Sequence, residues 1–444
     1  MNAEHPTYPT RCLTFLRPLH TSTASPPTPA LTPLRIAISG AGLAGLAAGI
    51  ALARRGHTVT IFEATPALSE VGAGIQIPPN SARLLARWGV EALFQDQCVL
   101  PAGIAFRRWE SGDVIGWTDL GEQFKERYGA GYWVIHRAHF HAAMYERAVE
   151  FGVEVRTAAR VVEYDLEGTG VRLESGEVCG ADVVVAADGI KSTARGAILG
   201  PEDKPPVLVG FAAYRATVST DKMRADPDTA WLLDNPSINC WIGDGRHVMS
   251  YTIAGGSSFN MVLSHPESTD PSTWRQETAL SDMRSHFVGW DPRLTKLISM
   301  VTHTLKWPLL TLPAPLPRWR ANHTIIIGDA AHAMLPYMSQ GAAMGIEDGA
   351  ALAVVLNSLT SKDDIPAALA RFEDERRART AQMMQASFIN GRIWHFADGP
   401  EQRARDEGMR PEVVGEVGEA SPNQWSDPLT AGWCFGYDAE RGWA

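Results

Sequence analysis

The stretch Arg35–Glu63, RIAISGAGLAGLAAGIALARRGHTVTIFE, reads as strand, glycine turn, helix and second strand. Arg35–Ser39 is the short apolar run expected of a parallel strand covered on both faces. Gly40, Gly42 and Gly45 then fill G-x-G-x-x-G at the entrance to an alanine-rich helix. The first glycine permits a tight turn, the second lets a pyrophosphate approach the backbone, and the third allows close helix–strand packing. The helix N-terminus offers free N–H groups and a positive dipole end to phosphates. Glu63 follows about 20 residues later, where a carboxylate accepts hydrogen bonds from ribose hydroxyls. A simple glycine turn would not require Glu63, so the stretch is read as a dinucleotide site. Ile36–Ala53 also runs 18 residues without a charge, which is the threshold for a membrane span. Ser39, the three glycines and the β-branched strand Thr58–Phe62 favour the soluble reading.

The rest of the composition narrows the class. At 444 residues the chain can bury a large core and divide into two domains. A net charge of −10 argues against nucleic acid or an anionic membrane as partner. The five cysteines are scattered, odd in number and form no C-x-x-C. That pattern fits reduced thiols in an intracellular, cytoplasmic protein rather than a disulfide framework or zinc site. Residues 1–33 are rich in Thr, Ser and Pro, carry Glu4 as their one acid and lack an apolar signal core. They read as a disordered tail, with organelle targeting left open.

Moving outward from Glu63, Gly72 and Gly74 mark a backbone that turns sharply or passes close to something. A helix over Ala138–Phe151 has Arg137 at its start, an odd place for a cation unless a phosphate meets it. His136, His139 and His141 invite a metal reading, but histidines at i and i+2 on a helix point in different directions, so shared ligation is poor and no metal site is read there. Val183–Ala187 is another buried strand, ending at Asp188-Gly189. Thr324–Ile327 is a third, ending at Gly328-Asp329. Ligands bind outside the carboxyl ends of such strands. Gly341-Ala342-Ala343 opens a helix to about Leu359, with Glu347 and Asp348 in early turns where acids suit the dipole. A long helix follows over Pro366–His395, and its FEDERRAR run reads as a solvated face.

Between these α/β parts lie strand-like segments Val207–Val218, Ile238–Ile242, His247–Ile253 and Asn260–Leu263, then a helix over Pro271–Phe287. They read as an antiparallel sheet inserted into the first domain. The expected organisation is therefore a tail (1–33), a nucleotide-binding domain in two parts (34–205 and 319–398), an inserted substrate domain (206–318) and a C-terminal tail (399–444). In HVMSY, His247 and Tyr251 are four apart and share one face of a strand. Tyr214 and Arg215 are adjacent and face opposite sides. A buried Arg215 is costly unless an anion pairs with it, such as a carboxylate or phenolate, or an internal acid.

Together the glycine turn with Glu63, the ADG at 187–189 and the GDAAH at 328–332 resemble the class A flavoprotein aromatic hydroxylases. This is the para-hydroxybenzoate hydroxylase fold, a glutathione reductase-like Rossmann domain with an inserted sheet. GAGIQIPPN, RAHFHAAM, AYRAT and MSQGAAMGIED look closest to its salicylate hydroxylase-like branch. The resemblance covers about residues 34–395. Ala333 departs from it, since the family usually has proline there.

The resemblance implies FAD, held by Gly40, Gly42, Gly45 and Glu63 at its adenosine end. Ala73-Gly74 would pass near the flavin, and Arg137 would reach a phosphate or ribose. Asp188 would serve FAD and the incoming nicotinamide nucleotide, and Asp329 the ribityl or pyrophosphate part. The Gly341 and Ala342 amides would meet the flavin N1/O2 edge. NADPH or NADH would be the transient electron donor, and O2 would reach the ring of a small aromatic substrate through a flavin hydroperoxide. His247 with Tyr251 resembles the pair of the 3-hydroxybenzoate and 6-hydroxynicotinate branches. Arg215 with Tyr251 resembles the pair of dearomatising fungal members. The expected activity is hydroxylation of a phenol or hydroxylated aromatic acid by a monomer or homodimer. Epoxidation, indole oxidation or dearomatisation in a natural-product pathway is the alternative, and a non-catalytic FAD-binding regulator is a further one.

Overall fold

The computed structural model describes residues 28–68, 73–167, 169–416 and 418–441. Most of the N-terminal tail, and Gly72, lie outside the described residues. Residues 28–33 run along the body of the protein, where the Ala30 amide meets the Arg55 carbonyl at 2.8 Å and the Thr32 hydroxyl the Leu359 carbonyl at 3.1 Å.

The apolar runs form the centre of a six-stranded sheet. Its order is Arg320–Ala321, Thr324–Ile326, Val183–Ala186, Arg35–Ser39, Thr58–Phe62 and Glu154–Arg156. All its pairings are parallel except the short hairpin 320–326. Parallel strands need both faces covered, and helices Leu43–Ala53 and Gly341–Asn357 lie against each other here. Small residues make that approach possible. A Cβ on Gly349 would stand 2.5 Å from the Ala48 nitrogen, and one on Gly345 2.8 Å from the Ala44 methyl.

A second, seven-stranded sheet runs in the order Thr304–Thr311, Val207–Ser219, Ser258–Pro266, Arg246–Ile253, Ile238–Gly243, Gly103–Arg108 and Val114–Asp119. It is not confined to 206–318, because its last two strands come from well before residue 205. Gly103–Arg108 joins it parallel to Ile238–Gly243. Pro308 is tolerated because Thr304–Thr311 is an edge strand. Of the helix expected over Pro271–Phe287, only Ala279–His286 forms. Asp270 caps a separate 3-10 turn at Pro271–Thr273, and Trp274 is extended (φ −72°, ψ 139°), which breaks the run. The C-terminal segment folds too. Helices Pro400–Met409 and Pro428–Phe435, with Trp425, pack on the same core as Phe106 and Trp394.

Candidate active site

The glycine turn is built as its spacing requires. Gly40 has φ +99°, and a Cβ there would lie 2.5 Å from the Ala187 carbonyl oxygen. A Cβ on Gly45 would lie 2.0 Å from the Gly40 oxygen, so neither position admits a side chain. Gly42 caps the helix without a side-chain acceptor, and no atom stands within 4 Å of where its Cβ would be. That is an open approach to free helix amides. Glu63 braces the turn, accepting from the Ala41 amide at 2.9 Å and from the Thr65 amide and hydroxyl at 2.8 and 2.9 Å. Burial pushes its acidity the other way, but these donors outweigh it and hold the carboxyl below its ordinary range. His141 Nε2 donates to the Ala41 carbonyl at 2.7 Å, and His136 caps its own helix.

The other strand ends converge on the same edge. Asp188 takes the Thr193 amide at 2.9 Å and the Ala194 amide and Tyr164 hydroxyl at 3.2 Å on one oxygen. Its second oxygen is buried and has no partner among the described residues. Asp329 is exposed at the start of the short helix Asp329–His332. Gln340 gives helix Gly341–Asn357 no side-chain cap, and among the described residues no acceptor meets the Gly341 and Ala342 amides. Arg137 begins its helix with its amide on the Ala73 carbonyl at 3.0 Å. A side-chain-free cradle, two uncapped helix starts and an exposed carboxylate suit a dinucleotide with one anionic pyrophosphate and a ring edge that gains negative charge.

Beneath this edge lies a buried charge cluster, built from Glu347 and Asp348 and from two arginines of the run read as a solvated face. Glu347 and Asp348 are fully buried, and so is Arg376. Arg376 donates to Glu347 at 2.7 Å and to Asp348 at 2.8 Å. Arg379 meets both Glu347 oxygens at 2.7 and 2.8 Å, and Asn80 donates to it at 2.7 Å. His332 and the Gly328 amide close on Asp348 at 2.5 and 2.9 Å. FEDERRAR is therefore not a solvated face, since Glu373, Arg376 and Arg379 are buried. The two acids do not serve the helix dipole either. An acidic pair inside the otherwise apolar GAAMGIEDGAALAVVL was the available signal, because buried charges require partners. Burial alone would raise both carboxyls, but the arginines, with His332 at Asp348, hold them low, Asp348 at about 2.

The second sheet turns one face toward this edge. Arg215 pairs across Val262 to Met249, Tyr251 across Asn260 to Thr217, and His247 across Ser264 to Ala213. Directly opposed residues share a face, so Arg215, His247 and Tyr251 all lie on it. Tyr214 faces the other way, stacked on His265 at 4.8 Å. Gly74 joins the two regions. Its amide donates to Asn260 at 2.7 Å, and a Cβ there would stand 2.5 Å from the Tyr251 ring. Arg215 lines a cavity of about 300 Å³ with Ala73, Thr217, Gln276, His303, Leu305 and Trp307. Burial pushes the Tyr251 hydroxyl up, while nearby Arg215 and Gln76 act against it.

Arg215 and Tyr251 are thus brought to Ala73-Gly74, whereas His247 stands four residues along its strand, about 13 Å away at ~3.3 Å per residue. It is 4% exposed and hydrogen-bonds His395 at 2.8 Å, with Tyr337 and Trp394 edge-on. His395, Tyr337, Gln76 and Asn260 were not found from the sequence. Each comes from a segment far from the motif it meets, and only Gln76, polar in an apolar strand, carried a local signal.

A Rossmann-type sheet with these strand ends, facing a mostly antiparallel sheet across Gly74, defines a flavin-dependent oxidoreductase. The family model described as FAD binding domain matches residues 34–387, and the chain belongs to that family. It is 38% identical over 411 residues to the "FAD-dependent monooxygenase OpS4" of Beauveria bassiana, covering 92% of this chain and 96% of that one. It is 34% identical to a "6-hydroxynicotinate 3-monooxygenase" of Pseudomonas fluorescens, covering 80% and 91%. A salicylate hydroxylase substrate complex superposes with TM-score 0.74 at 25% identity, covering 92% and 96%. The protein is an FAD-dependent monooxygenase of the class A aromatic hydroxylase type. Among the described residues no helix is long and apolar enough to cross a membrane.

Proposed function

We propose that the enzyme oxygenates a small phenol or hydroxylated aromatic acid, with NADPH or NADH as electron donor and O2 as oxidant. The observation that carries this reading is the meeting of Arg215 and Tyr251 at the Ala73-Gly74 backbone beside a cavity of about 300 Å³. Relatives named for 3-amino-4-hydroxybenzoate and 6-hydroxynicotinate support it, since both names denote hydroxylated aromatic acids. FAD would lie along Gly40, Gly42, Gly45, Glu63, Arg137, Asp188, Asp329, Gly341 and Ala342, and Ala73-Gly74 would adjoin its ring. When bound, FAD supplies electron transfer from NAD(P)H and the activation of dioxygen.

The chain's own part is to hold the ring and remove its hydroxyl proton. A ring over Val262 and Met249 would have Tyr251 on one side, His247 on the other and Arg215 across the sheet. The guanidinium favours a carboxylate or phenolate. His247, held neutral by burial, is the proton acceptor. Trp307 and Leu305 are 43% and 38% exposed at the cavity, which favours, as a second reading, a larger natural-product substrate oxidised without phenol deprotonation. Four described cysteines are free thiols, which supports work in a reducing compartment.

The test is NAD(P)H oxidation by FAD-loaded protein across a panel of hydroxybenzoates and hydroxypyridine acids, with product and peroxide both measured. Ring hydroxyls should stimulate oxidation, and Arg215→Ala should abolish the preference for anionic rings. Protein that takes up no FAD, or oxidises NAD(P)H equally without a ring, would overturn the proposal. Full activity of Arg215→Ala on a neutral substrate would favour the second reading.

A further inference from the structure

The ring partner of His247, His395, lies outside the lining of the cavity described above. His395 caps the C-terminus of the long helix Ile365–Trp394, and its carbonyl takes the Gly245 amide at 3.2 Å. Helix end and sheet turn are thereby tied together. Its ring lies flat on Phe211, with centroids 4.8 Å apart and planes 15° apart. Its Nε2 stands 2.8 Å from His247 Nδ1. His247 is buried, while His395 is only half-buried, so the pair spans from the sheet face toward the surface.

We infer that His395 is a positioning residue, the outer half of a two-histidine relay that carries the substrate's hydroxyl proton from His247 to solvent. The inference rests on the proposed role of His247. An N–H···N bond needs one donor and one acceptor, so the two neutral rings share a single proton between them. At rest His247 carries hydrogen on Nδ1 and donates to His395 Nε2, which leaves His247 Nε2 bare and His395 protonated on Nδ1. When the ring's O–H bond breaks, its proton forms an N–H bond at His247 Nε2. The Nδ1 proton passes to His395 Nε2, and the His395 Nδ1 proton leaves to water. The reverse sequence, run when the oxygenated product regains a proton, restores both tautomers. No charge remains on the pair in either direction.

The surroundings favour passage over storage. Burial first, then the partner ring, pushes His247 down, and burial with Arg405 does the same to His395. Few charged groups face the pair. Tyr337 meets both rings from the turn Pro336–Met338. Arg405, from helix Pro400–Met409, bonds the Ile393 and Trp394 carbonyls and pairs with Asp406. Asp398 is bound to Arg108 at 2.8 Å. Among the described residues no carboxylate hydrogen-bonds either imidazole to trap the proton as an ion pair.

The test uses FAD-loaded enzyme and His395→Gln, which keeps a polar side chain but cannot carry a proton between two ring nitrogens. The expected result is a kcat loss of roughly ten- to hundredfold with KM within about twofold, at the lower edge of general acid–base effects. The loss should shrink for a ring analogue already ionised at the assay pH, whereas a merely structural role would penalise both substrates alike. His395→Ala should regain turnover with added imidazole. Selectively 15N-histidine-labelled wild-type protein should show a shared proton coupled to two ring nitrogens, a readout that stands even if a variant fails to fold. Unchanged kcat in His395→Gln, equal losses on both substrates, or no shared proton in the wild type overturns the relay alone. Wild-type enzyme that no ring hydroxyl stimulates overturns the relay and the reading beneath it together.

Discussion

The carboxyl edge of the first sheet and the inner face of the second are built on opposite principles. At the edge, function falls to backbone: glycines that admit no Cβ, helix starts without caps, amides offered to an anion. On the face it falls to side chains drawn from strands, a turn and a helix far apart in sequence. Backbone geometry is local and periodic, so it leaves a spaced signature. Side-chain constellations depend on register and packing, so they leave only isolated polar residues. The two also differ in what holds them. The edge rests on a buried ionic cluster, and the face is steadied by aromatic packing around His247.

The largest effect should come from breaking that ionic support. Arg376→Met leaves Glu347 and Asp348 buried with reduced compensation, and removing one partner of a buried pair costs about 3–5 kcal/mol. Denaturant unfolding should show the loss as a lower midpoint at similar slope. A loss under ~1 kcal/mol would mean that Arg379, Asn80 and His332 suffice, and that edge and face do not differ in this respect.

This cluster also shows where sequence reading stops. Gly40, Gly42, Gly45 and Glu63 are legible because one β-α-β unit contains the whole argument. The buried strands Val183–Ala186 and Thr324–Ile326 are legible because they are short, mostly β-branched and free of charge. The shared face of Arg215, His247 and Tyr251 followed in part from strand alternation. Charge on a helix, by contrast, looks the same whether water or another helix receives it. Only the packing of Gly341–Asn357 against Ile365–Trp394 decides that Arg376 and Arg379 point inward. The entry of Gly103–Arg108 into the second sheet is likewise a long-range pairing with no local mark.

A smaller effect tests the junction of the two regions. Gly74→Ala places a methyl 2.5 Å from the Tyr251 ring and 2.8 Å from Asn260 Cγ. Overpacking of this kind costs about 1–3 kcal/mol. Turnover should fall further than stability implies, because Tyr251 and the Ala73-Gly74 backbone move apart. In a double-mutant cycle with Tyr251→Ala, the stability terms should be non-additive by roughly 0.5–3 kcal/mol. Additive losses would show that edge and face meet without depending on each other.

The smallest effect compares one histidine from each region under acid. His57, at the start of Thr58–Phe62, accepts the Leu34 amide at 3.1 Å, and burial with neighbouring Arg55 lowers it to about 4. His265, on the outer face of the second sheet, bonds the Pro266 carbonyl at 2.9 Å. Burial and His286 lower it also to about 4. Both native values lie below the ordinary 6.5, so on acidification the unfolded chain takes up these protons first. Stability from each group is complete above pH 6.5 and is lost as pH falls toward 4. At pH 5.5, one unit below the unfolded value, each should cost about 1 kcal/mol. His57→Gln and His265→Gln should each flatten the fall in thermal midpoint between pH 7 and 5 by a similar amount. If only one does, that histidine's region bears the acid sensitivity. A midpoint that stays level in the wild type would mean that neither ring is held neutral by its surroundings.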